Sequence, residues 1–210
     1  MISALVPLKG LASSKSRLLP HLGRARVEQL AIAMLGDVVD ALHRTPSIDR
    51  VAVVTPDPRV AEAAKTLGAD PLLDRYPDLN AALDGASAQL APAPDDAVLV
   101  VLGDVAGVQA AEVEALITAL EESGVVLAPS SDGGTSALLR RPWNVIAAGF
   151  GPNSARIHAQ RAIDAGAIFH RMEMPSLAID IDDAADIERF RASGAATLGA
   201  RTRSLLEMPS

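Results

Sequence analysis

Three short runs in this chain are apolar without the alternation of a half-exposed strand: residues 2–8 (ISALVPL), 50–55 (RVAVVT) and 97–102 (AVLVVL). Runs of this length are too short for a stable helix. Strands covered on both faces have this character. Between them the period changes. Residues 25–42 place Leu30, Met34, Val38 and Leu42 on one helical face. The same reading predicts helices at 60–67, stopped by Gly68, and at 80–90, 110–122, 154–165 and 183–193. Further strands are predicted at 71–73, 125–128, 135–140, 167–172 and 176–179. Strand and helix therefore alternate along most of the chain. That pattern predicts an α/β fold: a mostly parallel sheet with helices on both faces. No internal repeat or low-complexity linker interrupts it, so residues 1–210 read as one domain, with 195–210 as a terminal helix that frays at its end.

Composition narrows the function. Cysteine is absent, which removes disulfide scaffolds, thiolate metal sites and cysteine nucleophiles. Aromatic residues are 2% of the chain, too few for the stacking platforms of single-strand nucleic-acid binders. The formal net charge of −7 argues against nucleic acid or an anionic membrane as partner. No apolar run approaches the roughly 18 residues of a membrane span, and no secretory signal pattern opens the chain. A cytoplasmic protein is expected. The charge is nevertheless uneven. Lys9, Lys15, Arg17, Arg24 and Arg26 all precede the first acidic residue, Glu28. A cationic segment on an acidic protein suits a small polyanion such as a nucleoside triphosphate, or else is a solvated surface.

In open α/β sheets, ligands bind beyond the carboxyl ends of the strands. The polar residues expected there are 9–17, 55–57, Gly103 and Asp104, 130–135, and Asp180 and Asp182. Asp104 follows the most apolar run and has no polar neighbour in its own segment. It reads as a ligand for a hard cation or as a turn or cap residue. Asp182, with Asp180 beside it, is the second candidate carboxylate, and Asp183 is the natural cap of the following helix. Residues 9–16 (KGLASSKS), with Gly10, Ala12, Ser13, Ser14 and Ser16, resemble a phosphate cradle but form no Walker A loop. No G-x-G-x-x-G fingerprint follows the first strand. The clusters 130–135 (SSDGGT) and 150–154 (FGPNS) read as anion-binding loops or as ordinary turns, with Ser154 placed to cap a helix. His158, one turn later, reads as a phosphate ligand or as a structural histidine. The spacing shows neither a Ser-His-Asp triad nor a histidine metal cluster.

Taken in order, VPLKGLASSKSRL, VVTPD, LNAAL, VLGDV, SSDGGTSALL, FGPNS with its following His, and DIDDAADI resemble the CofC/FbiD family, the guanylyltransferases of coenzyme F420 biosynthesis. The resemblance covers residues 1–195. It implies a Rossmann-like domain of the nucleotide-diphospho-sugar transferase type. It also implies transfer of GMP from GTP to phosphoenolpyruvate, giving enolpyruvyl-diphospho-5′-guanosine and pyrophosphate. 2-Phospho-L-lactate and 3-phospho-D-glycerate are the alternative acceptors, and a non-catalytic nucleotide-binding regulatory protein is the alternative class. Carried over by motif, Lys15 and Asp104 would be catalytic, and Asp104 and Asp182 would hold Mg²⁺. Lys9, Lys15, Arg17 and Asn80 would bind the nucleotide, and Thr135, Gly151 and Ser154 would bind phosphoenolpyruvate. The resemblance also implies handover of the product to the next F420 enzyme and is compatible with a homodimer. Three features depart from the family pattern. Val105 stands where a Pro often follows the metal Asp, Asp183-Ala184 replaces Thr-Pro, and the basic residue before the His is shifted to Arg156.

Overall fold

The strands β1 (Ile2–Pro7), β2 (Arg50–Thr55), β3 (Asp70–Leu73), β4 (Ala97–Val101), β5 (Gly124–Pro129), β6 (Thr135–Arg141) and β7 (Ile168–Arg171) form one seven-stranded sheet in the order β3-β2-β1-β4-β6-β5-β7. The structure is a computed structural model. It describes residues 1–13, 15–76, 78–91, 93–120, 124–193 and 198–208. Four expectations fall outside these residues: Ser14 of the candidate cradle, the last residues of the helix expected at 110–122, the start of the C-terminal tail and its frayed end.

Neighbouring strands run parallel except at β6, which is antiparallel to both β4 and β5. Its central Ala137, Leu138 and Leu139 share the apolar character of their neighbours, so composition marked the strand but not its direction. The consequence is local and important. An antiparallel β6 begins where β4 ends, and the Leu102 N–H donates to the Ser136 carbonyl at 3.0 Å. Thr135 is thereby delivered to the carboxyl edge of the parallel strands.

Helices α1 (Leu19–His43), α2 (Pro58–Thr66), α3 (Leu79–Leu90), α4 (Ala110–Thr118), α5 (Ser154–Asp164), α6 (Ala184–Ala192) and α7 (Ala200–Glu207) surround the sheet. Alternate side chains of each strand face opposite layers. Ala4 and Val6 join Leu35, Val38, Val60, Val113 and Leu116 from α1, α2 and α4. Leu5, Val98 and Val100 join Leu83, Ala86, Ala155 and Ala162 from α3 and α5. Both layers are almost wholly aliphatic, as the scarcity of aromatics requires. A third cluster ties the first half of α1 to α6 and α7 through Leu30, Met34, Ile187, Phe190 and Leu206.

Caps are built by nearby carboxylates. Asp57 accepts from Arg59 N at the start of α2, with Pro58 in the first turn. Asp183 caps α6 and forms a reciprocal box with Asp186. Asp37, on α1, accepts from the Arg201 and Thr202 N–H groups at 2.9 Å each and so caps α7 across space. The strand expected at 176–179 is instead a turn. Ser176 is held by Glu112 of α4 through both its N–H and its hydroxyl, and Leu177 drops into the core. Helix α4 ends at Thr118. Helix α1 starts six residues earlier than its apolar period, bending at Gly23, whose φ of 72° is non-helical.

Candidate active site

The loops after β1 and β4, the start of β6 and the segment before α6 meet around a cavity of about 380 Å³. Its floor and wall are apolar, with Leu8, Leu79, Leu102 and Phe150. Its polar lining includes Lys9, Lys15, Asp104, Asp132, Thr135, Gly151, Ser154, Asp180 and Asp182. Close approach of the two central loops depends on Gly103, where a Cβ would stand 3.0 Å from the Pro7 carbonyl oxygen.

In the cavity lining Lys15 bridges two carboxylates from distant segments. Its Nζ lies 2.6 Å from Asp104 Oδ2 and 2.5 Å from Asp182 Oδ1. The lysine side chain is only 7% exposed. Burial works against its charge, yet Asp104 and Asp182 together hold its pKa above the ordinary lysine value. The Lys15 backbone is left-handed, with φ 50° and ψ 46°, a region that residues with side chains seldom enter. Asp182 is held in turn: the N–H groups of Asp182 and Asp183 both donate to Asp186 Oδ2 at 2.9 Å. Asp180 also faces the cavity. Burial, then the neighbouring Asp104 charge, push its carboxyl up to about 6.

Among the described residues no group of three His, Asp or Glu side chains is arranged to hold a metal unaided. A cation with phosphate oxygens as further ligands is better matched. Asp104 Oδ1 is buried without a hydrogen-bond partner, and its Oδ2 and Asp182 Oδ1 already share one positive charge. That donor set fits a divalent cation of the Mg²⁺ kind.

The candidate cradle is only partly open. Residues Leu11–Ser13 form a 3-10 turn. The Leu11 N–H donates to Asp57 Oδ2 at 3.0 Å, anchoring the loop to the end of β2. Burial opposes ionisation of Asp57, but the Leu11 and Arg59 N–H groups outweigh it and hold its pKa low.

Thr135 and Ser154 are buried with their hydroxyl oxygens 3.0 Å apart, and both line the cavity. Gly151, at φ 135°, takes a backbone conformation that side chains rarely adopt. Of the two readings of residues 150–154, an anion-binding loop or an ordinary turn, the backbone matches the turn, and Asn153 rather than Ser154 stands at the cap position of α5. Ser154 N–H donates to the Gly151 carbonyl and Ala155 N–H to the Gly133 carbonyl, because the chain folds back through a left-handed Asn153. His158 is likewise not free for a phosphate, since both ring nitrogens have protein partners: Gly149 N–H at 2.9 Å and Thr135 Oγ1 at 3.0 Å.

Two expected nucleotide residues lie off the cavity lining. Arg17 is exposed on the surface near Asp183. The Asn80 amide is used on both sides by the Phe150 backbone, accepting from its N–H at 2.7 Å and donating to its carbonyl at 3.1 Å. Sequence reasoning missed the ion pair of buried Arg140 with half-buried Asp84, 2.9 Å apart, which steadies the loop leading to Phe150. An arginine inside an apolar strand was the available signal.

A family model described as guanylyl transferase CofC like matches residues 2–203. A protein named phosphoenolpyruvate guanylyltransferase from Sphaerobacter thermophilus is 36% identical over 198 residues, covering 94% of this chain and 95% of that protein. One of the same name from Nocardia farcinica is 37% identical over 211 residues, covering 98% and 90% respectively. A crystal structure assigned as a candidate nucleotide-diphospho-sugar transferase from Desulfovibrio desulfuricans superposes with a TM-score of 0.79 at 17% identity, covering 98% of this chain and 93% of that one. At that identity the likeness speaks to the fold alone, which is of the nucleotide-diphospho-sugar transferase type.

Proposed function

The chain belongs to the family of CofC-like guanylyl transferases, and on that premise we propose that it transfers GMP from GTP to phosphoenolpyruvate. One observation carries the reading. One cavity is lined both by Lys15, Asp104 and Asp182 and by Thr135, Gly151 and Ser154. The first set suits a metal-bound triphosphate and the second a compact anion.

In the proposed reaction a phosphate oxygen of phosphoenolpyruvate attacks the α-phosphorus of GTP. The bond from that phosphorus to the bridging oxygen of the β-phosphate breaks. Pyrophosphate leaves, and the new P–O–P linkage is that of enolpyruvyl-diphospho-5′-guanosine. The attacking oxygen is already ionised, so no general base is needed. Catalysis is then positioning and charge neutralisation. Asp104 and Asp182 would hold Mg²⁺, which supplies neutralisation of phosphate charge when bound there. Lys15 contributes its buried ammonium beside the triphosphate, and exposed Lys9 adds to the field at the mouth. Leu8, Leu79, Leu102 and Phe150 offer an apolar wall to the organic parts of the substrates.

The reading extends to a cytoplasmic enzyme of coenzyme F420 assembly that hands its product to the next enzyme, and it accommodates a homodimer. Among the described residues no helix is long and apolar enough to cross a membrane. The test is incubation of the purified protein with GTP, Mg²⁺ and each of phosphoenolpyruvate, 2-phospho-L-lactate and 3-phospho-D-glycerate, with products identified by mass. Phosphoenolpyruvate is expected to react fastest. Faster reaction with another acid would move the assignment to that acceptor, and no product with any of them would refute it.

A further inference from the structure

The loop between β6 and α5 is pinned almost atom by atom. Arg140 donates to the Ile146 carbonyl at 2.9 Å, and Arg161 to the Ala147 and Ala148 carbonyls at 2.8 and 2.6 Å. Ala148 N–H donates to Asp84 at 3.1 Å, and the Phe150 backbone is clamped by Asn80. Gly149 sits between these anchors, so the direction of its N–H is set by neighbours on both sides. That N–H donates to His158 Nε2 at 2.9 Å.

A neutral imidazole has one N–H and one lone pair. With Nε2 accepting, the proton must be on Nδ1, which then donates to Thr135 Oγ1 at 3.0 Å. Thr135 and Ser154 share a further hydrogen bond. If Ser154 donates to Thr135, the Thr135 proton is left over. If Thr135 donates to Ser154, the Ser154 proton is left over. Either way one hydroxyl proton remains for the cavity that both residues line. The opposite tautomer reverses the chain. Thr135 would donate to Nδ1 and Ser154 to Thr135, leaving only lone pairs to face an anion.

We propose that His158 is a positioning residue that sets the direction of the hydrogen-bond chain through Thr135 and Ser154, so that this hydroxyl pair presents a proton donor to the anionic acceptor. The proposal rests on the acceptor site assigned above. The ring is kept neutral by its surroundings. Burial, then the Arg140 and Arg161 charges, push its pKa down to about 4, and the Phe150 ring packs edge-on at 5.1 Å. His158 never touches the acceptor, and its effect passes through Thr135.

The first test needs no substrate. Nitrogen NMR of histidine-labelled protein at neutral pH should show His158 protonated at Nδ1 and bare at Nε2. Protonation at Nε2 overturns the proposal. The second test is a double-mutant cycle read as the dissociation constant for phosphoenolpyruvate by calorimetry. His158→Gln keeps an acceptor for Gly149 N–H but removes the donor to Thr135. It should weaken binding about tenfold, with GTP affinity within about twofold of wild type. Thr135→Val should weaken phosphoenolpyruvate by a similar factor, and the double variant no further, because one chain is being broken twice. Independent, multiplying losses would mean that His158 acts through general stability, and would overturn the proposal. If the wild type binds no phosphoenolpyruvate, the acceptor assignment falls, while the tautomer still decides the direction of the chain. Should His158→Gln fail to fold, His158→Asn, whose amide stands near Nδ1, replaces it and should retain binding within about threefold.

Discussion

Asp104 and His158 are opposite cases of a buried polar residue. Asp104 keeps one oxygen, Oδ1, buried and unpaired, a costly arrangement unless a ligand completes it. Asp104→Asn removes the charge with almost no change of shape. It should lower turnover by at least about 100-fold, or about 2.7 kcal/mol, with the circular dichroism spectrum unchanged. Near-normal turnover in steady-state assays with Mg²⁺ would remove Asp104 from the site. His158 has every ring nitrogen satisfied, and its pKa lies at about 4 against about 6.5 in the unfolded chain. The unfolded state therefore binds a proton that the folded state refuses, and stability must fall as pH drops from 6.5 towards 4. The contribution is of the order of 3 kcal/mol, complete above pH 6.5. Arg140 and Arg161 are the charges that face the ring. Urea unfolding at pH 7 and pH 4.5 should show wild type losing more stability than His158→Gln. Equal losses would contradict the neutral buried ring. The sequence marked both residues but not their partners. Lys15 lies 89 residues from Asp104 and 167 from Asp182, and spacing carries no information about such pairs.

Among the elements, the strands and helices whose period is strong stand close to where the pattern predicts them. Strand β2 has the same ends in both, and α3 and α5 differ by one residue at one end. What local pattern lacks is direction and competition. Thr135 reaches the cavity because β6 runs antiparallel, which the short apolar run at 137–139 does not disclose. Residues 176–179 are as apolar as a strand but are claimed by Glu112 and the core before they can pair. The β6–α5 connection shows how an element can be rigid without regular structure. Its anchor is the fully buried Arg140, paired with Asp84 and bonded to Ser87 and Ile146. Asp84→Ala leaves that guanidinium uncompensated and frees the Ala148 N–H. It should cost about 2–3 kcal/mol of stability in urea titrations, less than for a fully buried pair because Asp84 is one-third exposed, and weaken phosphoenolpyruvate more than GTP. A loss below about 1 kcal/mol would mean that the pair does not hold the loop.

Over the whole molecule, the two aliphatic layers hold a sheet whose carboxyl edge gathers loops far apart in sequence. The acidic surface and the cationic N-terminal segment are reconciled there, because Lys15 is drawn inside to neutralise carboxylates while Lys9 stays at the mouth. The candidate residues Lys9, Lys15, Asp104, Thr135, Gly151, Ser154 and Asp182 line one cavity, whereas Arg17 and Asn80 lie outside its lining. Asn80 was legible as a residue of interest. Its use as a clamp on Phe150 depends on a contact 70 residues away. If one cavity joins the α-phosphorus of GTP to the phosphate of a three-carbon acid, GTP labelled at its α-phosphorus and incubated with phosphoenolpyruvate, Mg²⁺ and the protein should yield a labelled guanosine diphosphoenolpyruvyl product, formed one-for-one with pyrophosphate and dependent on the acid. Labelled GMP in place of that product, or pyrophosphate release indifferent to the acid, would overturn the assignment.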